Sequence, residues 1–156
     1  MAGESPRPGA LRRRRHVARG RLAARAAGRP RRFFAMRGGV HLVTGATEGI
    51  GLATAHQLCR EGHTVLVHGR APDKVSRVVS SLRQENGDAH GYVADLSVLA
   101  DVRKLGAEVG GAWPRLDGLL NNAGSFDGDY TGGRVLTPDG NEYTLAVNVL
   151  APFLLP

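Results

Sequence analysis

From Val40 onward, apolar and polar positions follow two rhythms that take turns along the chain. Short apolar runs bounded by turn residues predict buried strands over Val40–Val43, His63–His68, Ala89–Ala94 and Leu116–Leu120. Between them, apolar residues recur at helical spacing. A first helix is predicted from Gly49 to Arg60, stopped by Gly62. A second runs from Pro72 to Glu85, with Val75, Val78, Val79 and Leu82 at i, i+3, i+4 and i+7, and "NGD" breaks it. A third, Val98 to Val109, carries Val98, Val102, Leu105 and Val109 on one face and ends at Gly110, Gly111 and Pro114. A glycine-rich loop follows at Ser125–Pro138. A last helix is predicted from Asp139, with Tyr143, Ala146, Val147, Leu150 and Leu154 on one stripe.

This strand–helix alternation predicts an α/β domain, a parallel sheet with helices on both faces. Right-handed crossovers make a doubly wound sheet of order 3-2-1-4 the simplest topology. Leu116–Leu120 is then an open sheet edge and the last helix lacks a neighbour, which predicts self-association or an oligomer.

The length of 156 residues suits one domain with a real core. The longest apolar run, "VNVLAPFLLP", is too short to cross a membrane and contains Asn148 and two prolines, so no transmembrane segment is expected. The net charge of +7 is unevenly placed. Residues 1–37 hold twelve arginines against Glu4, giving +11; the rest carries −4. The organisation expected is a basic, disordered tail over 1–37 and a domain over 38–156. Three readings of the tail stay open: an organelle transit peptide, a basic arm for nucleic acid or anionic lipid, and an extension with no selected role. No aromatic platform interleaves its arginines, so no nucleic-acid partner is expected. The location stays open between cytoplasmic and, if the tail is a transit peptide, organellar (mitochondrion or plastid). Cys59, the single cysteine, excludes an internal disulfide and reads as a packed thiol. His63 and His68 lie an odd number of residues apart, hence on opposite faces of one strand, and no histidine metal site is expected.

The stretch "TGATEGIG", Thr44 to Gly51, joins the first strand to the first helix. A strand, a glycine-rich turn and a helix N-terminus make a phosphate cradle, because the first turn of a helix offers free N–H groups and a positive dipole end. Gly45 allows the tight turn, Gly49 removes a side chain where a pyrophosphate approaches, and Gly51 lets helix and strand pack closely. No Gly-Lys-Ser/Thr follows, so this is not a P-loop.

The stretch resembles the Thr-Gly-x-x-x-Gly-x-Gly loop of the short-chain dehydrogenase/reductase family. "NNAG", Asn121–Gly124 at the end of the fourth strand, matches that family's second hallmark. Asp95 in "ADLS" matches its adenine-contacting acid, with Leu96 beside it. "VNVLAPFLL" resembles the helix that carries its structural and catalytic asparagine, here Asn148. The phrase "LTPDGNEYTLAVNVLAPFLL" is most similar to the retinol-dehydrogenase-like branch. The resemblance covers residues 39 to 155. It implies a Rossmann-like fold and hydride transfer between a nicotinamide dinucleotide and a small alcohol or carbonyl substrate. The implied cofactor-binding residues are Thr44, Gly45, Thr47, Glu48, Gly49, Ile50, Gly51, Asp95, Leu96, Asn121, Asn122, Ala123 and Gly124.

The choice of dinucleotide follows from the end of the second strand. An NAD site needs an acid there to accept from the ribose 2′-OH. The chain reads "VLVHGR", and Arg70 can instead donate a bidentate pair to a 2′-phosphate, which favours NADPH over NADH. Glu48 is discordant, because NADP-preferring relatives often carry a basic residue there.

In the family, a tyrosine donates the proton to the carbonyl oxygen, aided by a lysine one helical turn later and by a serine. Here Leu96, Arg134 and Val147 stand four residues after Tyr92, Tyr130 and Tyr143. Both lysines, Lys74 and Lys104, precede "NNAG". The chain therefore reads as the cofactor-binding portion of such an enzyme, truncated and inactive alone. The alternative is a non-catalytic dinucleotide-binding or protein-interaction module.

Overall fold

The computed structural model describes residues 38–126 and 133–155. Seven elements alternate through β4: β1 (Val40–Val43), α1 (Gly49–Arg60), β2 (Thr64–Gly69), α2 (Pro72–Gln84), β3 (Asp88–Val93), α3 (Leu99–Ala112) and β4 (Gly118–Leu120). A helical segment then runs through α4 (Tyr143–Leu145), a π-helical turn at Ala146–Leu150 and α5 (Ala151–Leu154). The sheet is wholly parallel in the order β3-β2-β1-β4, the doubly wound Rossmann-like arrangement expected from the alternation.

The period of two along the strands sorts the core into two layers. Val43, Val65 and Val67 point to one face, where α1 and α2 cover them with Ala55, Leu58, Val75, Val79 and Leu82. Leu42 and Leu66 point to the other, against Val102, Leu105 and Val109 of α3 and Val147, Ala151 and Leu155. Helices α1 and α2 both stop in a left-handed residue that turns the chain back into a strand. Gly62 (φ 84°) lets the His63 amide donate to Leu58 O at 3.1 Å; Asn86 (φ 61°) lets Gly87 donate to Leu82 O at 2.9 Å.

Several boundaries move from those the pattern predicts. β2 starts at Thr64, and His63 lies just outside it, its Nδ1 3.2 Å from Nε2 of His41. β4 starts at Gly118 rather than Leu116, because Asp117 turns its carboxylate onto the Val40 amide (2.9 Å) and onto Arg115. The last helix starts at Tyr143 rather than Asp139. Glu142 caps it, accepting from Thr144 and Leu145 N–H at 2.9 and 2.7 Å. Asp139 reaches instead to the Leu99 amide, 2.8 Å away, and caps α3. The apolar stripe moves too. Val147, Ala151 and Leu155 are buried, while Leu150 and Leu154 are half-buried, because the π-helical turn advances the inward face by about one residue. The basic segment 1–37, Tyr130 and part of the 125–138 loop lie outside the described residues.

Candidate functional site

Two of the three loop glycines adopt backbone conformations that side chains resist: Gly45 has φ 63° and Gly49 φ 57°. A Cβ on Gly45 would come within 2.9 Å of Ala123 Cα. A Cβ on Gly51 would collide with the Gly45 carbonyl and the Asn122 amide, so this glycine sets how closely α1 meets the sheet. Above Gly49 there is open space. Glu48, the residue before α1, makes no side-chain cap, and the first N–H groups of α1 are left facing the turn. An uncapped helix N-terminus under a glycine with free space is a seat for an anion.

Thr44 and Asn122 hold this turn against the end of β4. Thr44 Oγ1 donates to Leu120 O (3.2 Å) and accepts from the Asn122 and Ala123 amides, both at 3.0 Å. Asn122 Nδ2 donates back to the carbonyls of Thr44 and Gly45 at 3.0 and 3.2 Å. The "NNAG" motif is thus a brace for the glycine turn as well as a wall of the site.

A cleft of about 380 Å³ opens along the carboxyl ends of the strands. Gly45, Thr47 and Glu48 form one side; Arg70, Asp95 and Leu96 form the rim; Asn122, Ala123 and Gly124 form the far side. Thr44 and Gly51 are not among the lining residues and act on the cleft through Asn122 and Gly45. Ile50 is 79% exposed and, like Gly49, Asn121 and Asn148, is not among the cleft-lining residues. One carboxylate oxygen of Asp95 accepts from the Ser97 amide at 2.9 Å, which fixes the group at the rim.

The lining also includes His68, Ser125, Phe126 and Tyr143, none of them anticipated from the motifs. His68 is buried between two backbone groups. Its Nδ1 accepts from the Gly45 amide (3.4 Å) and its Nε2 lies 3.2 Å from the Ala94 carbonyl, so Nε2 carries the proton and the ring is neutral. Burial lowers its pKa in the same sense, outweighing the Ala94 carbonyl and Asp95. The available signal was its place at the carboxyl end of β2, two residues before Arg70. Tyr143 accepts from Arg70 Nη1 at 3.2 Å and so links the end of β2 to the last helix. Glu48 pairs with Lys74 across 3.1 Å.

Asn148 is locked to one backbone residue. Its Oδ1 accepts from Ser125 N and its Nδ2 donates to Ser125 O, both at 2.9 Å. It fixes the chain leaving "NNAG" to the π-helical turn. Cys59 is half-buried in α1, and burial together with Asp88 and Glu85 pushes its thiol up to about 11, which keeps it protonated and inert. Among the described residues, no group of three histidine, cysteine or acidic side chains is placed to hold a metal, and no helix is long and apolar enough to cross a membrane.

A parallel sheet of order 3-2-1-4 with a glycine turn over β1 and a cleft at the strand ends defines a dinucleotide-fold class of protein. The chain belongs to the short chain dehydrogenase family, whose sequence profile matches residues 39–155. It is similar to polyprenol dehydrogenase of Mus musculus, 43% identical over 120 residues, covering 76% of this chain and 35% of the relative. It is also similar to retinol dehydrogenase 14 of Mus musculus, 38% identical over 132 residues, covering 77% and 38%. Among solved structures, a metagenomic short-chain oxidoreductase in complex with NADP superimposes with a TM-score of 0.66 at 34% identity, over 77% of this chain and 54% of that one. The Pseudomonas aeruginosa RhlG/NADP active-site complex gives 0.66 at 32% identity, over 77% and 46%. The chain spans well under half the length of these curated relatives.

Proposed function

We propose that this chain forms the cofactor-binding part of an NADPH-dependent oxidoreductase acting on a small lipophilic alcohol or carbonyl compound. Arg70 carries the reading. It stands directly after β2, where the strand end itself offers no acid for a ribose 2′-OH, and its guanidinium lies on the cleft against Tyr143. One of its five donors is engaged by the tyrosine; the planar fork can still offer a 2′-phosphate two parallel bonds. NADP in the two solved relatives supports the same assignment.

The residues present suit the whole ligand. The uncapped α1 terminus beside Gly49 would hold the pyrophosphate, Asp95 and Leu96 the adenine, and Asn122–Gly124 the stretch beyond. When bound, the nicotinamide supplies or accepts the hydride. The residues of this chain bind and orient, and we assign them no proton transfer. Arginine or an apolar residue stands four positions after each tyrosine, and the amide of Asn148 is engaged by Ser125 and cannot act as an acid at neutral pH.

Titration of NADPH and NADH against wild type and Arg70→Glu tests the reading. Wild type is expected to prefer NADPH. The variant is expected to lose about 1.5–3 kcal/mol of NADPH binding, roughly ten- to hundredfold. Equal affinity of wild type for the two dinucleotides would overturn the assignment. Rapid NADPH oxidation with retinoid, steroid or short aldehyde substrates would overturn the restriction to binding and point to Tyr143 as acid.

A further inference from the structure

The cleft that Arg70 lines is also lined by an acid that disfavours the ligand Arg70 suits. Glu48 lines the cleft, and its side chain is 77% exposed. A bare carboxylate there would repel a 2′-phosphate and could accept from the 2′-OH of a plain ribose. Glu48 is not bare: Lys74 Nζ lies 3.1 Å from its Oε2. Lys74 comes from the first turn of α2, four residues beyond Arg70, and α2 packs beside α1 on the same face of the sheet. The fold therefore brings a cation from one helix to the acid that precedes the other. The rest of the first turn of α2 offers Asp73, so Lys74 is the residue there able to neutralise Glu48.

We infer that Lys74 is a specificity-determining residue. By pairing with Glu48 it cancels the carboxylate at the cleft, so that Arg70 meets a 2′-phosphate without a competing negative charge. This rests on the NADPH reading of the Arg70 subsite. Lys74 acts through Glu48 and not by touching the phosphate. Its effect is that of one exposed charge a few ångströms from another, about five- to tenfold in affinity at low ionic strength and smaller in salt.

The test titrates NADPH and NADH against the full chain as wild type, Lys74→Gln, Glu48→Gln and the double variant, at low and high salt. Thermal unfolding of each variant checks that the fold is kept. Lys74→Gln is expected to weaken NADPH about five- to tenfold at low salt, with NADH unchanged or tighter. In the Glu48→Gln background, the same lysine substitution should change NADPH binding by no more than about twofold. The difference should shrink as salt is raised. Equal weakening of both dinucleotides would overturn the inference. So would an undiminished NADPH loss in the Glu48→Gln background, or no effect in either. Wild type binding NADH as tightly as NADPH would sink the Arg70 reading itself. A wild-type NADPH preference that Lys74→Gln leaves untouched would remove the Lys74 inference alone.

Discussion

β2 and β4 flank the same central strand and are held there by different forces. β2 pairs along its whole length with β3 and, through four residues, with β1, and Val65, Leu66 and Val67 are fully buried. β4 has three residues, pairs among the described residues with β1 alone, and leaves Leu120 41% exposed. Its attachment is largely polar. Asp117 accepts from Val40, Thr44 bonds Leu120 and the amides after it, and Asn122 reaches back over the glycine turn. One side of the cleft stands on apolar burial, which tolerates imprecise geometry. The other stands on specific hydrogen bonds, most of them part-buried, whose groups lose a partner when one is broken.

The largest expected effect comes from the apolar side. Leu66→Ala should cost about 2–5 kcal/mol, while Leu120→Ala on the edge should stay within about 1 kcal/mol. Denaturant midpoints of the two variants check this, and similar losses would break the contrast. The polar brace comes next. Thr44→Val keeps the shape but leaves the Asn122 and Ala123 amides without their acceptor, so a loss of about 1–3 kcal/mol is expected. A loss near zero would mean that the "NNAG" wall stands without the brace.

Acid should act on stability in two stages. His68 and His41 titrate below the ordinary histidine value of 6.5 in the fold, chiefly because they are buried; a second histidine, His63, adds to this at His41. Below pH 6.5 the unfolded chain therefore binds more protons than the folded one, and stability falls as pH drops from there. Above it these groups leave stability level. Asp117 and Glu142 behave in a lower window. Backbone N–H groups hold their carboxyls below the ordinary 3.8 and 4.5, so their contribution is present above those values and is lost as pH falls through the folded pKa values. Midpoints measured from pH 7.5 to 3 should show the first decline near 6.5, with a shallower slope there in His68→Gln. A flat profile down to pH 5 would contradict it.

The order of elements, the stops of α1 and α2 and the glycine turn were legible because each rests on local features, and the sheet order followed from right-handed crossovers; α3 instead ran through Gly110 and Gly111 to Ala112. Alternation along "VLV", the i, i+3, i+4, i+7 run of α2, and glycine where φ is positive are written within a few residues of where they act. Asp95 and "NNAG" were picked out by their resemblance to the family's motifs and Arg70 by its position after the second strand; the carboxyl ends of parallel strands lie along one edge of the sheet, where the cleft opens. The apolar stripe of the last helix was right at Ala146 and Val147 but missed Ala151 and Leu155, because a π-helical turn changes the helical period without a local mark in the sequence.

Tertiary structure alone decided the pairing of side chains within that frame. Lys74 and Glu48 are 26 residues apart, Leu99 and Asp139 are 40 apart, and Arg70 and Tyr143 are 73 apart. Which partners meet at such separations depends on strand register, on the close approach permitted at Gly51, and on where the last helix begins. Asp139 looked like a helix start and became the cap of a different helix. Glu48 looked like a misplaced charge and became half of an ion pair. Local pattern sets where an element forms, because propensity and burial act within a turn or a strand. A hydrogen bond between distant residues needs both ends placed to within a few tenths of an ångström, and only the packed sheet and helices supply that.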